Sequence, residues 1–412
     1  MPYLLDYLEA KLASFEEEPL NPVDSAALTQ LCMVRGEDVL PPLEERKSFA
    51  GLRTILRNVA SKTARPVPVR DMLRAERFPG MFTGLDPKNI KLNLFALAAS
   101  PRFRTMCAHD YLSLFDAERE TQFAAMTFTA KKQFTYVGFR GTDTSLAGWK
   151  ENFNMAFADA VPAQHQALRY LEAIAAKTTG PLYVGGHSKG GNLAEYAALK
   201  AAPEIQARIE RVFIHDGPGF KEGVFSPEDY APLSGRIHKT IPTESFVGIL
   251  LESQAPVSVV KSRAKGLDQH SVFSWEVDDA LDDFAYADEL PESTKLMAES
   301  LREWLARFDD REREAVVESV FRAIEASGAD DAEGLLSGGG KSLAILVDAL
   351  KKADAVDRGT LIDAGKTFVG AAVDRAAARL RNERERSREA NPKRKSPHDE
   401  GTEDEPRSDL RE

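Results

Sequence analysis

Gly-His-Ser-Lys-Gly at residues 186–190 is the place in this chain where residue types and spacing first define a chemistry. Leu182-Tyr183-Val184 before it reads as a buried strand, and residues 192–202 after it read as a helix. G-x-S-x-G between a strand and a helix is the nucleophile-elbow pattern, so Ser188 is the candidate nucleophile of an acyl-transfer reaction. Glycines at 186 and 190 keep bulk away from a turn that forces the serine into a strained backbone conformation. The helix that follows aims its N-terminal amides at the serine, where an oxyanion develops.

A serine hydroxyl needs a base, an acid to orient that base, and oxyanion donors. For this motif the chain order is serine, acid, histidine. His215, His238, His270 and His398 follow Ser188. His398 lies in a charged tail, while His215 and His238 fall on strand-like segments. His270, in a loop after the last convincing strand, is the best base. Glu244, just after the strand-like residues 236–241, is favoured as the acid on strand order, and Asp216, after residues 212–215, is the rival. The oxyanion donors are expected from Lys189, directly after the nucleophile, and from Thr142 in the loop after residues 134–139. Gly141 lets that loop come close. Arg140 and Asp143 read as charges that hold the loop, and Trp149 as its packing anchor. This chemistry calls for no metal and no cofactor.

The surrounding elements must position these residues. Residues 121–129 and 134–140 read as an antiparallel hairpin, and strands then alternate with helices around the elbow. That pattern predicts an α/β-hydrolase fold with a mainly parallel central sheet flanked by helices. Residues 1–65 read as an N-terminal helical segment packed on the core, 66–290 as the core, 291–380 as a helical C-terminal region, and 381–412 as a disordered charged tail. Residues 89–114 read as helical with a break near Pro101, and Pro66-Val-Pro-Val as a connector. The apolar residues from Ile249 to Val260 read as core elements, with a lid or acyl-chain wall as the other reading. Gly338-Gly-Gly-Lys-Ser342 only resembles a phosphate-binding loop, because Leu335 stands where a glycine is required.

Composition narrows the function classes. A net charge of −11 argues against nucleic acid as a partner. The two cysteines, Cys32 and Cys107, read as core residues. The N-terminus lacks the basic start and apolar run of a signal peptide, and no stretch is apolar enough to span a bilayer, so the expected location is cytoplasmic.

Phe139-Arg-Gly-Thr142 followed by Trp149, and then Gly-His-Ser-Lys-Gly, resembles the class 3 lipases. The chain also resembles the Mbeg-like group, a lipase-like bacterial family of unknown function. That likeness lies in Asn21-Pro-Val-Asp-Ser25, Phe139-Arg-Gly-Thr-Asp143, Gly185-Gly-His-Ser-Lys-Gly-Gly-Asn-Leu193, Asp216-Gly-Pro-Gly-Phe220, Ser245-Phe-Val-Gly-Ile249 and Gln269-His270. It covers roughly residues 1–280. The resemblance implies that Thr142 is the oxyanion residue and that Ser188 works with His270. The lipases carry their acid in an Asp-x-Val-Pro context. Here that region reads Glu244-Ser-Phe-Val-Gly248, so either Glu244 substitutes or the acid lies elsewhere. The expected function is hydrolysis of a small-molecule or lipid carboxylic ester. The other classes are a catalytically silent scaffold on the same fold and an acyltransferase.

Overall fold

The computed structural model describes residues 1–43, 65–131, 133–326, 359–367 and 370. Among these, nine strands form one sheet in which neighbours follow chain order. The strands are β1 (Val67–Pro68), β2 (Cys107–Asp116), β3 (Thr121–Ala130), β4 (Phe134–Phe139), β5 (Leu182–His187), β6 (Ile209–His215), β7 (Ile237–Pro242), β8 (Val257–Val260) and β9 (Tyr286–Ala287). β1 to β4 pair antiparallel, β4 to β8 run parallel, and β9 returns antiparallel. The protein is therefore mixed α/β with a mostly parallel central sheet flanked by helices, as the alternation of strand and helix patterns predicts.

Helices cover both faces, because strands in the middle of a parallel sheet are apolar on both sides. Tyr136, Phe128 and Phe213 face one way, against α1 (Leu4–Ala10), α2 (Pro22–Leu31) and α3 (Pro87–Ala99). Val137, Phe139, Val184 and Val212 face the other way, against α5 (Pro162–Lys177) and α6 (Lys189–Lys200). α4 (Leu146–Asn154) leads from the loop after β4.

The N-terminal segment is built into the core. Asn21 Oδ1 accepts from the Asp24 amide at 2.8 Å and Asp24 Oδ2 accepts from the Asn21 amide at 3.0 Å, a reciprocal cap with Pro22 at the first helical position. All ten residues of α2 are buried. Asp24 also receives a two-pronged bond from Arg102, and Ser25 Oγ contacts Tyr136 Oη at 2.8 Å and His215 Nε2 at 3.0 Å. The Asn-Pro-Val-Asp-Ser motif is thus a helix start and two anchors to the sheet.

The helical reading of 89–114 holds only for α3. Residues 107–116 form β2, paired along β3 with a register shift between His109 and Leu112. Pro66-Val-Pro-Val contributes the short edge strand β1 rather than a connector alone. Residues 257–260 are β8, with Val259 and Val260 buried and Val257 exposed, while Ile249, Leu250 and Leu251 are half-buried. The two cysteines are free: Cys32 is buried against the β4 backbone, and Cys107 is half-buried.

After the sheet come α7 (Glu292–Ala306) and α8 (Asp310–Ala326). α7 is tied to the loop after β7 by Thr294 Oγ1, which donates to the Thr243 carbonyl at 2.9 Å. α8 lies on α4, with Phe321 edge-on to Phe153 at 5.7 Å and Glu318 paired with Lys150 at 2.7 Å. The phosphate-loop look-alike at 338–342, the tail at 381–412, and most of 327–380 lie outside the described residues.

Candidate active site

Ser188 stands between the last residue of β5 and the first residue of α6, with φ 59° and ψ −131°. Side chains rarely adopt positive φ, and holding one there costs on the order of 1–3 kcal/mol. The turn is closed by the Ser188 amide, which donates to the His215 carbonyl at 2.9 Å. Its tightness explains both flanking glycines. A Cβ on Gly186 would lie 2.0 Å from the Gly190 carbonyl carbon, and one on Gly190 would lie 2.3 Å from the Phe139 carbonyl oxygen.

The loop after β4 reaches the same point. A Cβ on Gly141 would lie 3.0 Å from the His187 carbonyl oxygen and 3.6 Å from Ser188 Cβ. Thr142 is buried beside it, and its Oγ1 accepts from Asn152 Nδ2 at 2.6 Å. Asp143 Oδ1 accepts from the amide and hydroxyl of Ser145, the residue that caps α4, and Trp149 Nε1 donates to the Asp143 carbonyl at 3.0 Å. Asp143 and Trp149 are therefore scaffold. Arg140 is buried, with Nη1 at 3.4 Å from Tyr111 Oη and Nη2 at 3.9 Å from Asp143.

Lys189 begins α6, so its amide is at the helix end beside the nucleophile. Its side chain points away from the elbow. Nζ donates to the Gln122 carbonyl at 2.7 Å and pairs with Glu151 in a fully buried ion pair. Burial lowers the Lys189 pKa against the opposing pull of Glu151. Glu151 also accepts from the amides of Gln122 at 3.0 Å and Ala163 at 2.8 Å, so this one carboxylate joins β3, α4, α5 and the elbow.

His270 ends a short turn, Gly266–His270, and its Nδ1 lies 2.6 Å from Asp216 Oδ2. Strand order favours Glu244 as the carboxylate at this imidazole; the side chain in contact is Asp216. Glu244 instead accepts from the Gly266 amide at 2.5 Å and so pins the start of the His270 turn. The reason is local. Asp216 follows β6 at φ 46°, is completely buried, and turns its carboxylate to the His270 imidazole. Its Oδ1 accepts from the Ser245 hydroxyl at 2.5 Å and the Gly248 amide at 3.0 Å. Three hydrogen bonds compensate the buried charge, as burial of a carboxylate demands.

The remaining motif residues are the supports of this pair. Asn192 on α6 donates to the Gly219 carbonyl at 2.7 Å and fixes the loop after Asp216. Gln269 Oε1 accepts from the Glu244 amide at 2.9 Å and the Thr243 hydroxyl at 3.1 Å, and so joins the loop after β7 to the His270 turn. Trp275 Nε1 holds the Gln269 carbonyl at 2.7 Å.

Two further histidines next to the site, His215 fully buried and His187 partly buried, are kept neutral. Burial, and then the charge of His270, push His187 down to about 3, and burial, then His238, pushes His215 well below its usual value. In the unfolded chain each takes up a proton below about pH 6.5. The unfolded state then binds more protons than the folded one. Stability present above pH 6.5 is therefore lost as pH falls towards the folded-state values. Between pH 7.5 and 5.5, above most carboxylate titration, the two together are expected to remove about 2–3 kcal/mol. Urea unfolding at the two pH values measures it, and equal stabilities would contradict neutral burial.

A mostly parallel sheet, a serine at a strained strand-to-helix turn, and a carboxylate–imidazole pair on later loops together describe a lipase-like α/β-hydrolase. The sequence profile of the Mbeg1-like family matches residues 97–322, more than half of the chain, and the chain belongs to that family. The match extends beyond the core into α8. No curated protein matches the sequence. Among solved structures, the crystal structure of M37 lipase aligns at 17% identity and a TM-score of 0.29, over 40% of this chain and 64% of that one. The aligned part thus spans less than two thirds of the lipase chain. Among the described residues, no helix is long and apolar enough to cross a membrane.

Proposed function

We propose that the protein is a serine esterase that cleaves a carboxylic ester, of a small molecule or a lipid, through an acyl-enzyme on Ser188. The observation that carries this reading is the buried Asp216 carboxylate 2.6 Å from His270 Nδ1, on a turn that His187 bonds directly, with Ser188 next in the chain at positive φ. A carboxylate only accepts, so the proton of neutral His270 sits on Nδ1 and the Nε2 lone pair is free to act as base. Ser188 Oγ attacks the ester carbonyl and His270 Nε2 takes its proton. Asp216 stabilises the imidazolium that forms. The amides of Thr142 and Lys189 receive the oxyanion. His270 returns the proton to the leaving alcohol, and water repeats the sequence to release the acid.

A fluorophosphonate probe tests it on the full-length protein. Ser188 is expected to be labelled, and Ser188→Ala to lose the label together with p-nitrophenyl butyrate hydrolysis, by about 1,000-fold or more. Labelling that persists in Ser188→Ala refutes the assignment.

A further inference from the structure

We infer that His187, the residue before the nucleophile, is the positioning residue for His270, through its Nε2–H bond to the His270 carbonyl oxygen at 2.7 Å. The inference rests on the serine-hydrolase reading above. A carbonyl only accepts, so His187 is the Nε2–H tautomer. This bond joins the elbow directly to a turn 83 residues further along the chain. The two imidazole rings also pack together, with centroids 4.6 Å apart and planes tilted by 35°.

The other anchors of the His270 turn come from elsewhere. Trp275 holds the Gln269 carbonyl, Gln269 holds the loop after β7, and Glu244 holds Gly266. Those bonds shape the turn. Only the His187 bond, among these, is made from the segment that carries Ser188, and so it sets the base relative to the nucleophile. The His270 side chain is 30% exposed, so its own packing constrains it less than a core residue's would. The bond to its main chain and the ring lying against it add to the hold that Asp216 has on Nδ1. A displacement of about 1 Å between reacting groups can cost about 100-fold in rate.

Neutrality is part of the role. The charged or titratable groups that act on His187 are His270 and Asp216. A cation at this position would repel the imidazolium that forms on His270, whereas a neutral ring tolerates it. Burial, and then the charge of His270, keep the ring neutral above about pH 3. The donor, the flat ring and the absence of charge together make histidine suitable at position 187, where a merely space-filling residue would leave His270 held only by its own loop and by Asp216 at Nδ1.

The test compares His187→Leu, which removes the donor, with His187→Gln, whose amide nitrogen reproduces the reach of Nε2. Fluorophosphonate acylation of Ser188 is expected to slow by about 10–100-fold in His187→Leu, with KM for p-nitrophenyl butyrate changed less than about twofold. His187→Gln should stay within about fivefold of the native rate. Where His187→Leu does not fold, His187→Asn takes its place, since its shorter amide falls short of the carbonyl. The second readout needs no turnover: the low-field proton resonance of His270 Nδ1–H is expected to shift or broaden in the donor-free variant and to persist in His187→Gln. A native rate and resonance in the donor-free variant would overturn the inference. Equal losses in both variants would overturn it too, as a structural effect. Should the native protein take up no fluorophosphonate, the esterase reading fails, while the resonance still decides whether His187 positions His270.

Discussion

Asp216→Asn is expected to lower kcat by about 10,000-fold, while Glu244→Gln leaves it within a few-fold. The two carboxylates make different bonds. Asp216 Oδ2 is 2.6 Å from the imidazole and its Oδ1 is held by Ser245 and Gly248, so the side chain has no freedom to retreat. Asparagine keeps the shape but presents an amide. Where its nitrogen faces His270 it donates to Nδ1, which moves the imidazole proton to Nε2 and removes the base. Where its oxygen faces His270, the imidazolium still loses its counter-charge. Either way KM should move far less than kcat, because neither change touches the substrate's ground state. Glu244 bonds an amide at the start of the turn, and glutamine offers that amide an oxygen as well. The comparison is made with p-nitrophenyl butyrate and with the rate of fluorophosphonate labelling. A large loss in Glu244→Gln beside a small one in Asp216→Asn would move the acid to the loop after β7.

The part of the site that sequence reveals is the part that is local in the chain. Gly186 and Gly190 are required by atoms within the same turn and its immediate neighbour, so five residues suffice to announce the elbow. His270 and the Gly141-Thr142 loop follow from chain order once the elbow is known. The carboxylate is different. Whether it comes from the end of β6 or of β7 depends on how far the His270 turn folds back, and that is set by the bonds of Gln269, Trp275 and His187, whose partners the sequence does not disclose. Ser245-Phe-Val-Gly is visible as a motif, yet its work as the cradle of Asp216 needs three dimensions. Strand β2 was hidden for another reason. The register shift between His109 and Leu112, with Asp110 at φ 53°, breaks the two-residue alternation, and what remains mimics helical spacing.

The N-terminal segment should prove inseparable from the hydrolase-fold core, and Asp24 is where that is measured. Arg102 Nη2 and Nε meet its two oxygens at 2.6 and 2.9 Å, and both side chains are fully buried. Burial disfavours the guanidinium charge, and the Asp24 carboxylate outweighs it, so the Arg102 pKa is raised. The other partners complete the shell: Tyr7 Oη donates to Asp24 at 2.7 Å, while Arg102 donates to the carbonyls of Ala13 and Pro19 at 2.7 and 2.9 Å and lies 4.1 Å from the Phe15 ring. Asp24→Ala strands a buried cation without its paired carboxylate, leaving only Glu18 as a counter-charge, and a loss of about 3–5 kcal/mol in urea unfolding is expected. Arg102→Met strands the carboxylate with a similar loss. The double variant Asp24→Ala with Arg102→Met removes both charges, so it should lose clearly less than the sum. The effect reaches the site because Asp24 precedes Ser25, which bonds His215, whose carbonyl closes the Ser188 turn. Loosening α2 should therefore lower the temperature at which Ser188 remains labelled along with the unfolding midpoint. Single variants that lose less than about 1 kcal/mol would mean that the pair merely balances its own desolvation, and that α2 is held by apolar packing alone.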